Sequence, residues 1–321
     1  MSRPVFSVIL CTYNRHDRLP EAISHLLRQD IGADAYDIWV MDNSPPSDAR
    51  AKSRARFEAM QGGALKAPNL HYVELDRPGL ANARNEGIER SEGEIVVFID
   101  DDALAGPHWL SAYRDAFAKA DKNVAAIGGR IAPYFEAQRP GWLHENLLSY
   151  LSVFDQDAAY EGYQPCGANV AFRRADIAGS FFRTGLGRSG DEKSNLLSGE
   201  ESALTDFIKS SGKKFGYAPL AGVTHLIPAS RLTRPWFRRR AAWQAISDQL
   251  QHPLGDEDAP KLWPYMIDYI KKLPREQIPF MGLFWDTDDP ELFRQQLICT
   301  QLLTHIMISQ GRYPPEMLEG A

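Results

Sequence analysis

Short apolar runs alternate with amphipathic and charged stretches along the first part of the chain. Residues 5–10, 36–41, 70–75 and 95–99 are rich in Val, Ile, Leu and aromatic side chains and predict strands. Between them, Leu19, Ile23, Leu26 and Leu27 fall on one face of a helix over 17–29, with Asp17 as its N-cap. Pro45-Pro46 breaks the chain before a charged surface helix over 47–60, and Pro78-Gly79 turns into a helix over 80–90. Pro107 opens a further helix to 119, and a strand follows over 124–131. Strands and helices alternating at this pace predict βαβ units, hence an α/β fold with a mostly parallel mixed sheet flanked by helices. Right-handed crossovers then gather polar turns at the strands' carboxyl ends, where open sheets bind ligands.

The pattern changes after residue 131. Residues 132–163 are irregular and aromatic, with Tyr134, Phe135, Trp142, Tyr150, Phe154 and Tyr160. These rings read first as the core of an inserted segment and second as a cleft lining. A small-residue turn enters a strand over 166–172, and 184–199 predicts a mobile loop rich in Gly and Ser. Its residues 185–190 match G-x-G-x-x-G, but no apolar strand precedes them, so no dinucleotide site is expected there. A helix over 198–211 has Ser198 and Glu201 in capping-box spacing, and 213–218 is a short strand. Residues 207–240 contain no acid, and Arg231, Arg234, Arg238, Arg239 and Arg240 crowd their end. The tail is helical. Its last helix, over 290–310, has an apolar face of Phe293, Leu297, Leu302, Ile306 and Ile308, which suits pairing with a second copy in a homodimer.

Composition narrows the class without pointing to a reaction. The 321 residues are 44% hydrophobic and 24% charged, as in ordinary globular proteins. A net charge of -6 argues against a nucleic-acid partner. Three widely spaced cysteines, Cys11, Cys166 and Cys299, fit free thiols in a reducing compartment better than a disulfide framework. The N-terminal apolar run is too short for a signal peptide, and no run approaches the roughly 18 apolar residues of a spanning helix. A cytoplasmic protein is expected. The basic run over 231–240 offers three readings: contact with diphosphate or an anionic acceptor, contact with an acidic membrane surface, or a solvated face pairing with the chain's own acids.

Candidate chemistry concentrates where strands end. Ile95-Val96-Val97-Phe98-Ile99 stops in Asp100-Asp101-Asp102, three carboxylates whose repulsion calls for solvent or a cation. Hard oxygen donors suit Mg²⁺ or Mn²⁺ and, through it, phosphate oxygens; a solvated acidic turn is the equal alternative. Asp42 ends the second strand on the same rim, which tips the balance toward a site.

Together, Cys11-Thr12-Tyr13-Asn14-Arg15, Asp42 and the aspartate cluster resemble the family 2 glycosyltransferases. The resemblance extends to Gly79-Leu80-Ala81-Asn82-Ala83-Arg84-Asn85-Glu86-Gly87, Gly167-Ala168-Asn169 and Gly199-Glu200-Glu201. It covers about residues 5–225 and implies a GT-A fold that moves one sugar from a nucleoside-diphosphate sugar to a glycan, lipid-linked or small-molecule hydroxyl, with inversion. Residues 1–225 are then the catalytic domain, and 226–321 a helical extension for acceptor binding or oligomerisation.

In the resemblance, Thr12, Tyr13 and Arg15 hold the nucleotide and Asp42 hydrogen-bonds its base, uracil first and guanine or thymine next. Arg84 and Asn85 lie near nucleotide and sugar. Asp100 and Asp102 are the ends of the D-x-D element, with Asp100 toward the sugar or ribose, Asp102 on Mn²⁺ or Mg²⁺, and Asp101 the most replaceable. His225 is a second metal or phosphate contact, or simply a core histidine. Glu201 matches the general base, although this chain has Glu-Glu where the family has Glu-Asp. If Glu201 is locked onto Ser198 as a cap, Glu200 becomes the base. A degenerate nucleotide-sugar-binding scaffold is the first alternative. A nucleotidyltransferase is the second, and it would carry a glycine-rich basic loop where residues 11–15 stand.

Overall fold

The structure, a computed structural model, describes residues 4–62, 67, 69–178, 182–184, 196–255, 257–272 and 285–312. Elements follow in the expected order: β1 (Phe6–Thr12), α1 (Leu19–Leu26), β2 (Tyr36–Asp42), α2 (Asp48–Gly62), β3 (Leu70–Glu74), α3 (Leu80–Arg90) and β4 (Ile95–Asp100). Then come β5 (Ala103–Ala105), α4 (Trp109–Lys119), β6 (Val124–Phe135), β7 (Asn169–Arg173), a single turn α5 (Arg174–Ile177), α6 (Ser202–Ser210) and β8 (Lys214–Ile227). β5 was not expected, because three residues carry no periodicity to read. α1 starts later than predicted, after Arg18, and no side chain caps it. The G-x-G-x-x-G run lies outside the described residues.

The strands form one mixed sheet in the order β3-β2-β1-β4-β7-β6-β8-β5. β1 runs parallel to β2 and β4, and β2 parallel to β3, so all four send their carboxyl ends to one edge. β7 is antiparallel to both β4 and β6, and β5 is antiparallel to β8. Alternation along the buried strands builds a core on each face. Val8, Leu10, Val97 and Ile99 pack with Leu19, Ile23 and Trp109, whereas Ile9, Cys11, Val96 and Phe98 pack with Ala83, Ile88 and Leu204.

The chain divides into two compact units. The first comprises Met1–Tyr134, Ser152–Thr184 and Glu200–Leu226, and holds the sheet. The second comprises Phe135–Leu151, Gly185–Gly199 and Ile227–Ala321, and contains α7 (Arg234–Gln251), α8 (Ala259–Lys271) and α9 (Pro290–Ser309). Part of the aromatic stretch therefore belongs to the helical unit, where Trp142 is buried edge-on against Phe237 and Phe293. Phe154, Tyr160, Tyr163 and Tyr217 form a separate cluster in the first unit.

Within the helical unit the basic run meets the chain's own groups. Arg234 donates to Thr287 O and pairs with Asp288, Arg238 meets Trp285 O and Asp286, and Arg240 lies over the Tyr150 ring. Arg231 is buried, which leaves Arg239 exposed. The apolar face of α9 that suggested self-pairing, including Phe293, Leu297 and Ile306, is buried inside the unit, where α9 packs against α7 and α8. No described helix is long and apolar enough to cross a membrane.

Candidate active site

β4 delivers its acids beside the first loop because Ile99 and Asp100 lie in parallel register with Leu10 and Cys11. Thr12 Oγ1 donates to Asp101 Oδ2 at 2.8 Å, and Arg15 Nη1 donates to Asp101 Oδ1 at 3.1 Å and Asp102 Oδ2 at 2.6 Å. Asp101, at 7% exposure, is the strut of this loop rather than its most replaceable acid. Burial, reinforced by the charge of Asp102 and opposed by Arg15, pushes its carboxyl up to about 6. Tyr13, between Thr12 and Arg15 in the chain, stays partly exposed.

β5 supplies the reason His225 joins this group. Ala103 pairs with His225, and Leu226 N donates to Asp102 O at 2.8 Å. His225 Nε2 then stands 3.4 Å from Asp102 Oδ1, while its Nδ1 is buried without a partner. Among the described residues no three His, Cys, Asp or Glu side chains converge as a ready metal cage. The Asp102 carboxylate still suits a hard cation such as Mg²⁺ or Mn²⁺, which draws its other ligands from water and substrate phosphates, and the His225 imidazole beside it adds a nitrogen donor. The residues present fit a metal of that kind.

Asp42 is fully buried at the end of β2. Ser44 N donates to its Oδ1 at 2.9 Å, while Tyr72 and His16 Nε2, the latter at 2.8 Å, meet its Oδ2. Burial pushes its pKa up, but the hydrogen bonds from Ser44, Tyr72 and His16 outweigh it and hold the carboxyl below its ordinary value. Arg50 braces the turn by donating to the carbonyls of Asp42, Ser44 and Leu75. Sequence reasoning missed His16, Arg50 and Tyr72. Only His16 left a signal, as a titratable residue directly after Arg15 in a polar turn.

Arg84 gathers the remaining acids. Its Nη1 reaches Glu200 Oε1 at 2.8 Å and Glu201 Oε1 at 3.3 Å, and its Nη2 lies 3.4 Å from Asp100 Oδ1. Phe98 and Phe182 hold the guanidinium at 5.8 and 5.2 Å from their ring centres. Glu200 is 5% exposed, and burial together with the charge of Glu201 pushes it up to about 7 against the pull of Arg84. Glu201 is different: its side chain is 29% exposed, and its Oε1 also accepts Gly167 N at 3.1 Å. Gly199, with φ 94°, adopts the left-handed conformation that glycine tolerates, at the turn before the two acids.

The expected capping box does not form. Glu201 occupies the N-cap position of α6 with no side-chain capping bond, and Ser198 Oγ meets Gln244, Ser247 and Arg240 instead. Asn85 is also committed elsewhere, exchanging hydrogen bonds with the backbone of Phe182 at 3.0 and 2.8 Å. The structure thus brings together Thr12, Arg15, Asp101, Asp102 and His225 in one cluster, and Arg84, Asp100, Glu200 and Glu201 in another. Asp100, adjacent to Asp101 in the chain, links them.

The family description Glycosyl transferase family 2 matches residues 7–179, more than half of the chain. The chain belongs to this family. As a family 2 glycosyltransferase it resembles the glucosyl-dolichyl phosphate glucuronosyltransferase of Haloferax volcanii, at 25% identity over 93% of this chain and 92% of the relative. It also resembles the succinoglycan biosynthesis protein ExoM of Rhizobium meliloti, at 26% identity over 72% and 70%. Among solved structures, a mannosyltransferase from Pyrobaculum calidifontis in complex with GDP-Man and Mn²⁺ shares 18% identity. It superposes with a TM-score of 0.55 over 97% of this glycosyltransferase and 88% of that chain. TarS 1-349 of S. aureus gives 16% and 0.51 over 96% and 92%. The shared fold is GT-A, as the sequence resemblance implied.

Proposed function

We propose that this glycosyltransferase moves one sugar from a nucleoside-diphosphate sugar to an acceptor hydroxyl with inversion, using Glu201 as the general base. One observation carries the reading: a single buried guanidinium, Arg84, holds Asp100 through one nitrogen and both Glu200 and Glu201 through the other. The end of the D-x-D element and the base thereby share one site. Of the two glutamates, Glu201 keeps the exposure that an acceptor needs, whereas Glu200 is buried against Arg84.

Glu201 accepts the hydroxyl proton as the acceptor oxygen bonds to the anomeric carbon. The bond from that carbon to the diphosphate breaks, and its electron pair leaves with the nucleoside diphosphate. Asp102 and His225 would hold Mn²⁺ or Mg²⁺, which when bound neutralises the diphosphate. Thr12, Tyr13 and Arg15 line the nucleotide's side of the rim, with uracil the first choice of base and guanine or thymine next. A lipid-linked or glycan acceptor is supported by the printed names of the relatives, one a glucosyl-dolichyl phosphate glucuronosyltransferase and one a succinoglycan biosynthesis protein.

The test is release of nucleoside diphosphate from a panel of nucleotide sugars with MnCl₂, over wild type and Glu201→Gln. Turnover should fall by about 100-fold or more, in the range a positioned base contributes, while calorimetry shows unchanged UDP or GDP affinity. Full activity in Glu201→Gln would overturn the assignment.

A further inference from the structure

Asn169 is fully buried at the start of β7, and its amide is saturated. Oδ1 accepts from Trp109 Nε1 at 2.9 Å and Tyr113 OH at 2.7 Å, while Nδ2 donates to Arg130 O at 2.9 Å and Ala221 O at 2.8 Å. An amide side chain can make no more. One residue thus ties α4, β6 and β8 to β7, at the end of the sheet where Ile99, its register partner, precedes Asp100. Filling the same space needs no amide, and a buried one is costly unless every partner is kept.

The hub holds the turn that precedes it. Asn169 N donates to Cys166 O at 3.0 Å, which closes the turn 166–169. Gly167, inside that turn, gives its N–H to Glu201 Oε1 at 3.1 Å, and Arg84 Nη1 reaches the same oxygen at 3.3 Å. Both donors therefore fall on Oε1. Among the described residues nothing hydrogen-bonds Oε2, in a side chain that is 29% exposed.

We infer that Asn169 is the positioning residue of the general base. Through the turn and the Gly167 N–H it fixes Oε1 of Glu201, so that Oε2 is the oxygen that takes the acceptor's proton. This role rests on the reading of Glu201 as base given above. Asn169 itself is buried and acts on turnover only through Glu201. In-line displacement is sensitive to such placement, since a shift of about 1 Å costs on the order of 100-fold in rate.

The test is a double-mutant cycle between Asn169→Asp and Glu201→Gln, with Tyr113→Phe as a second probe of the same hub. Release of nucleoside diphosphate is measured with MnCl₂ on the most active nucleotide sugar of the panel, alongside melting temperatures, with high enzyme concentration for slow variants. Asn169→Asp still accepts from Trp109 and Tyr113 but cannot donate to the two carbonyls. It should lower kcat by roughly 10- to 100-fold and leave donor KM within about twofold. Tyr113→Phe keeps the ring and removes one donor to Oδ1, and should lower kcat by roughly two- to tenfold, the equivalent of one neutral hydrogen bond. In the Glu201→Gln background neither should lower kcat further, because no base remains to misplace. Each should still lower the melting temperature by the same amount in both backgrounds.

A hub that serves folding alone predicts otherwise. An equal loss of kcat in both backgrounds, a loss carried by donor KM, or wild-type kcat in both hub variants overturns the positioning role alone. Where Asn169→Asp does not fold, Tyr113→Phe decides by the same criteria. Full activity in Glu201→Gln overturns the base reading and this role together.

Discussion

His225 Nε2 stands 3.4 Å from Asp102 Oδ1 because Ala103 and His225 are register partners in β5 and β8. The carboxylate end of β4 and a residue more than a hundred positions later meet through a strand of three residues. Asp102→Ala should abolish Mn²⁺-dependent nucleotide binding. His225→Ala should raise the Mn²⁺ needed for half-maximal binding by roughly 10- to 100-fold, the range seen for weakened metal sites. A thermal-shift titration of MnCl₂ at fixed UDP or GDP measures both, and a chelator should remove the wild-type shift.

Asp101 is the next case. Thr12 and Arg15 both donate to it, and it is nearly buried. Asp101→Ala leaves those donors without their acceptor, which should cost ~1–3 kcal/mol of stability. Urea unfolding reads the loss directly. A stability equal to wild type would show that the first loop is held by something other than this strut.

Gly167 predicts a split between stability and turnover. A Cβ there would lie 2.2 Å from Glu201 Oε1 and 2.5 Å from Arg84 Nη2. Both atoms end flexible side chains, so Gly167→Ala should move the base and its guanidinium while the backbone stays in place. Nucleotide turnover should fall by at least about tenfold, as small misplacement of a base does, with the melting temperature changed by only a few degrees.

Glu200 gives the pH dependence. Its pKa is raised from 4.5 to about 7 in the folded protein, mainly by burial. Below 4.5 both folded and unfolded chains hold the proton. Between 4.5 and about 7 the folded chain still holds it and the unfolded chain has released it, so stability from this group falls as pH rises through that window. The slope contributed is at most about 1.4 kcal/mol per pH unit. Glu200→Gln should flatten it, measured as melting temperature against pH, and should retain far more turnover than Glu201→Gln.

Much of this molecule was legible before the structure. The four parallel strands and their helices declared themselves through periodicity, because a strand buried on both faces needs unbroken apolar residues and a helix between strands needs one apolar face. Asp42 and the Asp100 to Asp102 cluster were found for the same reason, since strand ends locate the polar rim. The role of each acid was less legible. Asp101 looked expendable as the middle of D-x-D, and only its contacts with Thr12 and Arg15, 89 and 86 positions away, show it as the strut. Ser198 and Glu201 had capping spacing, but a guanidinium from α3 draws Glu201 to the rim.

By itself, the order of residues determined the α/β class, the family and the acids at the strand ends, because each rests on patterns a few residues long. Tertiary structure decided how those acids are divided. Arg84 joins Asp100 to Glu200 and Glu201 across more than a hundred positions, and His16 covers the Asp42 carboxylate. Such assignments depend on which donor comes within about 3 Å of which oxygen, and on how much water remains there. Local spacing carries neither quantity, since both arise only when distant segments pack.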